Sequence, residues 1–99
     1  MDKALLIGII LPSVQDFTID NQLSELSLLA KTANVKVVDK ITQRLKRINP
    51  AFFVGKGKAG QIIDQASVLD VNVIIFDEEL SPAQIKNFQK LSKSIKVID

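Results

Sequence analysis

The stretch Gly55-Lys56-Gly57-Lys58-Ala59-Gly60 is the one glycine-rich element of the chain. It stands between Phe52-Phe53-Val54 and an apolar pattern of helical period. Glycines let a backbone turn tightly and come close to a ligand, and the first turn of a helix offers unpaired N–H groups at its positive end. Lys56 and Lys58 add two point charges. Together these features describe an anion site, for a phosphate of a nucleotide or of an RNA backbone. The segment does not meet the P-loop pattern G-x-x-x-x-G-K-[ST], and no Ser or Thr is placed to hold Mg²⁺. It does satisfy G-x-G-x-x-G, with Asp77 at the end of the next strand, where a ribose-binding acid would lie. Against that reading, a dinucleotide fold needs two mononucleotide halves, and 99 residues supply about one. The plain alternative is that these glycines only cap a helix and admit close packing.

A second set of groups belongs to the same edge. Asp77-Glu78-Glu79 leads into Ser81-Pro82, the start signal of a helix. In a parallel sheet the carboxyl ends of strands and the amino ends of the following helices share one edge, where ligands bind. Arg44, Gly55, Lys56, Gly57 and Lys58 are therefore candidates for a phosphate, and Asp77 and Glu79 for Mg²⁺ or a ribose, which would make ATP or GTP with Mg the ligand. The alternative is mutual charge neutralisation plus a contact with the helix dipole, since surface ion pairs are common and contribute little. Lys40, Lys46 and Arg47 form a secondary basic patch near Phe52 and Phe53, a combination suited to RNA phosphates and bases. The alternative for the two aromatics is the core, the commoner place for Phe.

The elements that must position these groups follow from hydrophobic periodicity. Ala4–Leu11 and Val73–Phe76 are nearly continuous apolar runs, as expected of central strands covered on both faces. Val35–Val38 and Ile95–Ile98 are each interrupted by a lysine, which suits edge strands. Helical spacing joins Leu26, Leu29, Ala30 and Ala33, and again Ala59, Ile62, Ile63 and Ala66. Asp20 or Asn21 is the expected cap of the first helix, and Asn34 its left-handed end. Ser81, Pro82 and Gln84 form a capping box ahead of Ile85, Phe88 and Leu91. The polar connections Pro12–Asp20 and Gln43–Pro50 are expected to be loops, and Phe52–Val54 is left open as a fifth short strand. The expected fold is α/β: a four-stranded, mostly parallel, flavodoxin-like sheet of order 2-1-3-4, with helices on both faces.

Composition removes whole classes of function. There is no Cys, His, Trp or Tyr, so thiolate catalysis, Ser-His-Asp triads, zinc sites and disulfides are all excluded. No catalytic residue and no metal ligand set is assigned. Net charge is only +2, but residues 31–58 carry eight Lys and Arg against Asp39 alone, while both flanking regions are net acidic. Such a cluster marks either a solvated face or a surface for a polyanion. The longest apolar run is far short of the roughly 20 residues that span a bilayer, and the start lacks the charge and cleavage pattern of a signal peptide. A cytoplasmic location is the expectation.

The succession Thr42-Gln43-Arg44, Asn49-Pro50, Phe53-Val54-Gly55-Lys56-Gly57-Lys58, Val73-Ile-Ile-Phe-Asp-Glu-Glu-Leu-Ser-Pro-Ala-Gln84 and Val97-Ile98-Asp99 resembles the N-terminal domain of the HflX family of translational GTPases. The opening Leu-Ile-Gly-Ile-Ile-Leu-Pro agrees, and Gly60 departs from the larger residue usual there. The resemblance implies one HflX-type domain over 1–99, normally followed by a helical hairpin and a GTP-binding domain. It implies a parent protein that binds rRNA of the large ribosomal subunit and helps to split or rescue stalled ribosomes under stress, and ATP binding outside the GTPase domain has been credited to the family. With neither a P-loop nor an Asn-Lys-x-Asp motif in these residues, GTP hydrolysis does not carry over to this chain. Three functions follow as expectations: an rRNA-binding module, a nucleotide phosphate-binding domain with weak or no hydrolysis, or a scaffold that positions the adjoining GTPase domain.

Overall fold

A computed structural model describes residues 1–13 and 16–99. The elements follow in the order β1 (Asp2–Ile10), α1 (Asp16–Thr32), β2 (Val35–Arg44), α2 (Lys56–Val68), β3 (Val73–Phe76), α3 (Pro82–Leu91) and β4 (Lys96–Ile98). The four strands form one sheet of order β2-β1-β3-β4, and every neighbouring pair is parallel. β1 is buried from Ala4 onward and β3 throughout, because helices cover both faces of these central strands. On one face Ala4, Leu6 and Ile10 pack with Ile19 and Leu23 of α1. On the other, Leu5, Ile7, Ile9 and Phe76 pack with Ala59, Ile62, Ile63 and Ala66 of α2 and with Phe88 of α3.

The expected strand order and edge strands agree with this sheet, and all four α2 positions are buried. The face of α1 differs. Ile19, Leu23 and Ala30 are buried and Leu26 partly so, whereas Leu29 is 67% exposed and Ala33 lies on the surface. Gly8 decides this. A Cβ built there would stand 2.9 Å from Cδ1 of Leu23 and 3.0 Å from Cγ1 of Ile19, so the missing side chain makes the notch into which that face of α1 settles. α1 begins at Asp16, so Asp20 and Asn21 lie inside it rather than capping it, and the connection Pro12–Asp20 is shorter than expected. Asn34 does take the left-handed end, with φ 62°. In α3, Phe88 is fully buried and Leu91 is 37% exposed.

β2 runs well past Val38. A bulge lies there, since Ala4 pairs with Val37 and Leu5 with Asp39, and pairing resumes through Ile10 and Arg44. The polar residues Asp39 and Lys40 do not end the strand, because ladder hydrogen bonds come from the backbone and β1 continues alongside. Bulge and lysines also blunt this exposed edge against pairing with another chain.

Candidate nucleic-acid interface

Because all strands are parallel, Arg44 at the end of β2, Lys56 at the start of α2 and Asp77 just after β3 come to the same carboxyl edge of the sheet. Lys40 lies four residues earlier, within β2 and opposite Leu6. Lys46 and Arg47 follow on the exposed loop beyond it. Lys40 and Arg44, paired with Leu6 and Ile10, lie on the α1 face of the sheet, whereas α2 carries Lys56 and Lys58 on the other, with Lys46 and Arg47 on the loop between.

The loop from Leu45 to Gly55 is held by a small set of polar contacts. Leu45 N–H donates to the carbonyl of Ile10 at 2.9 Å, carrying the β1–β2 ladder one step past the strand. The Asn49 side chain accepts from the N–H groups of Ala51 (2.9 Å) and Phe52 (2.8 Å), an Asx turn ahead of Pro50. Asn49 and Phe53 exchange two backbone hydrogen bonds of 2.8 Å, an isolated antiparallel bridge. Phe52–Val54 is therefore not a fifth strand. Gln84 Nε2 donates to the Asn49 carbonyl and Asn87 Nδ2 to that of Ala51, each at 2.8 Å, tying the loop to α3.

Within this clamp Phe53 sits at φ 64°, and Val54 N–H donates back to the Phe52 carbonyl at 2.6 Å, closing a γ-turn of the rarer positive-φ kind. That conformation costs a bulky residue on the order of 1–3 kcal/mol. Burial of the ring offsets it: Phe53 is 2% exposed and lies 6.3 Å from Phe76, centroid to centroid. Phe52 is half-buried and meets Phe88 edge-on at 6.2 Å. Both aromatics thus contribute to the core.

Gly55 is the N-cap of α2, at φ 90° and ψ 155°, with no side-chain cap. A positive φ of this size is where glycine is required. Gly57 and Gly60 have open space around a built Cβ and take no positive φ, so neither is needed for turn or packing. The first turn of α2 carries Lys56 and Lys58 and no acidic residue. Both lysines are exposed, and among the described residues neither pairs with a carboxylate. Two cations at the positive end of a helix dipole are locally unfavourable, by about 0.3–1 kcal/mol each relative to anions.

Asp77 is occupied differently. Its N–H donates to the Ile7 carbonyl, and its Oδ1 accepts from Ile9 N–H, each at 3.0 Å. The carboxylate thus takes the ladder position that the next backbone carbonyl would hold, at the β1–β3 boundary where the strand order reverses. Oδ2 is buried without a hydrogen-bond partner. Burial raises the Asp77 pKa to about 6, the Ile9 hydrogen bond works against this, and neighbouring Glu78 adds to it. Asp77 lines a cleft of about 290 Å³ with Gln22, Glu25, Leu26, Leu29 and Asp99, on the α1 side of the sheet, whereas α2 covers the opposite side. No ion pair among the described residues joins Asp77, Glu78 or Glu79 to Lys56 or Lys58. Among the described residues no group of three His, Cys, Asp or Glu side chains comes together, and Glu79 is exposed. Ser81 caps α3 as expected: Gln84 N–H donates to its Oγ (3.1 Å), and its own N–H donates to Gln84 Oε1 (2.8 Å). The second role of Gln84, on Asn49, and the whole Asn49–Asn87 clamp escape sequence reading, apart from the turn signal of Asn49-Pro50.

Fold and edge together define an α/β domain of the doubly wound type. Residues 20–99 match the family model described as GTP-binding GTPase N-terminal. The chain belongs to that family, as the N-terminal domain of the HflX type. It is 34% identical over 98 residues to the GTPase HflX of Escherichia coli (strain K12), covering 99% of this chain and 22% of the relative. It is 33% identical over 90 residues to the GTPase HflX of Flavobacterium psychrophilum, covering 91% and 22%. The chain thus spans about a fifth of the length of these curated relatives. Among solved structures, the SsGBP and GDP complex superposes with a TM-score of 0.72 at 23% identity, over 100% of this chain and 26% of that one. The catalytic domain of ISC1926 TnpA, an IS607-like serine recombinase, superposes with a TM-score of 0.65 at 14% identity, over 96% and 67%. These two likenesses concern the fold alone. No helix among the described residues is long and apolar enough to cross a membrane.

Proposed function

We propose that this domain is an RNA-docking module of an HflX-type GTPase, using its basic carboxyl edge to contact rRNA of the large ribosomal subunit. The observation that carries this reading is the pair Lys56 and Lys58, placed in the first turn of α2 without a carboxylate partner among the described residues. A helix start gains stability from acids, so lysines there favour an external anion over the helix itself. Lys46 and Arg47 on the loop after β2 add to this charge, and Lys40 and Arg44 along β2 carry it onto the α1 face of the sheet. On this reading the domain works in the cytoplasm, adds affinity and orientation to the parent GTPase during ribosome splitting or rescue, and performs no hydrolysis itself. Its other neighbour is the GTPase domain of the same protein.

Co-sedimentation with purified large ribosomal subunits over a salt series tests this. Binding that falls steeply with salt, each phosphate contact adding about 0.7–0.9 to the log-log slope, and that is lost in Lys56→Glu/Lys58→Glu, is the expected result. Absence of binding at low salt, or binding indifferent to the reversal, would reject it.

A further inference from the structure

Beside the basic loop after β2 lies a cleft to which phosphate binding gives no role. It measures about 380 Å³ and is lined, among the described residues, by Leu11, Pro12, Arg44, Leu45 and Lys46. Its floor is apolar and firmly held. Leu11 and Leu45 are half-buried against the core on the α2 and α3 side, and the Leu45 N–H is fixed to Ile10. Pro12 is exposed on the rim, and so is Lys46, which has no ion pair among the described residues. The volume falls at the lower end of the range for small-molecule sites, about 300–1,000 Å³, which suits one planar ring system with its sugar.

We propose that this cleft seats one unpaired nucleotide of RNA, its base against Leu11, Pro12 and Leu45 and its phosphate on Lys46 and the neighbouring Arg47. The inference rests on the RNA-docking reading and sharpens it. Phosphate contacts alone do not distinguish paired from unpaired RNA, and an A-form helix has no base free to enter an apolar cleft. An unpaired base offers a flat, weakly hydrated face and a phosphate one bond system away. The cleft matches that combination, an apolar floor with cations at its rim, where Leu11 and Pro12 meet Arg44, Leu45 and Lys46 of the segment that holds eight basic residues against one acid. The occupant chosen by this arrangement is a loop, bulge or strand end rather than a duplex.

Fluorescence anisotropy of the chain with a labelled oligouridylate of about 12 nucleotides, beside a blunt RNA duplex of the same length, tests the proposal. The single strand is expected to bind on the order of tenfold more tightly at equal salt. Leu45→Ala and Pro12→Ala are each expected to weaken the single strand roughly fivefold and leave the duplex unchanged. Pro12 lies outside the core, so its variant keeps the test independent of folding. Equal affinity for both RNAs, with both variants neutral and Lys56→Glu/Lys58→Glu still abolishing binding, would overturn the cleft while sparing the docking reading. No salt-dependent binding of either RNA would overturn both. Displacement of the oligonucleotide by ATP or UMP at lower concentration than the unlabelled oligonucleotide would assign the cleft to a free nucleotide and likewise overturn the proposal.

Discussion

Gln84 Nε2 donates to the backbone carbonyl of Asn49 at 2.8 Å, while Oε1 of the same side chain caps the α3 amino end through Ser81 N–H. One buried amide, 6% exposed, therefore anchors both a helix start and the strained loop that leads to Gly55. Replacing Gln84 with Leu leaves the Asn49 carbonyl and the Ser81 N–H without their partners. A loss of about 2–3 kcal/mol in urea unfolding is expected. Gln84→Glu keeps the cap acceptor but turns a second carboxylate oxygen toward the Asn49 carbonyl, so its cost should rise with pH as the buried acid ionises and should shift the amide resonances of residues 49–55 selectively.

Gly8 and Leu23 form a lock between β1 and α1. Gly8→Ala places a methyl group 2.9 Å from Leu23 Cδ1 and should destabilise by about 1–3 kcal/mol. Leu23→Ala alone removes a buried side chain and should cost about 2–5 kcal/mol. The double variant is expected to lose clearly less than the sum of the two, because Leu23→Ala vacates the space that the new methyl needs. Thermal denaturation of the four proteins closes the cycle, and strict additivity would contradict the lock.

Asp77 makes stability depend on pH in an unusual direction for a carboxylate. Its folded-state pKa, about 6, lies above the ordinary 3.8, so between those values the folded chain holds more protons than the unfolded chain. The stabilisation is complete below pH 3.8 and is lost as pH rises through 6. Partial solvent access limits the contribution to on the order of 1–2 kcal/mol. Asp77→Asn keeps an acceptor for Ile9 N–H and stays neutral, so it should be the more stable protein at pH 7 and flatten this part of the profile. Chemical denaturation at pH 4, 5, 6 and about 7 measures it.

Lys56→Glu/Lys58→Glu should fold at least as well as the native chain. Both side chains are exposed without ion pairs among the described residues, and acids in the first turn of α2 complement its dipole. A gain of about 0.5–1.5 kcal/mol by thermal melting is expected, alongside the loss of RNA binding. A large loss of stability would show that the lysines serve the fold.

Much of this architecture is legible in the residues themselves. The run Val73–Phe76 is a buried strand with no polar alternation, and Ser81-Pro82-x-Gln84 starts a helix by local hydrogen bonding alone, so both appear where expected. The alternation of strand and helix periods, with right-handed crossovers, orders the sheet as 2-1-3-4. The basic excess in residues 31–58 and the glycine turn at Gly55 are likewise local properties.

Tertiary contact decided the rest. α1 offers apolar residues around much of its circumference, at positions 23, 26, 28, 29 and 30, and periodicity does not choose among them. The notch at Gly8 does, by admitting Leu23 and Ile19 and leaving Leu28 and Leu29 in solvent. β2 continues through polar residues because β1 supplies the backbone partners. Asp77 read as a ligand-binding acid, yet its carboxylate meets Ile9, 68 positions away in sequence, and faces α1 rather than the lysines. Phe53 reads as strand or aromatic contact, and only burial beside Phe76 together with the Asn49–Gln84 clamp holds it at positive φ. Local sequence sets propensities and charge, whereas the pairing of groups far apart in the chain depends on which surfaces the packed sheet and helices bring together.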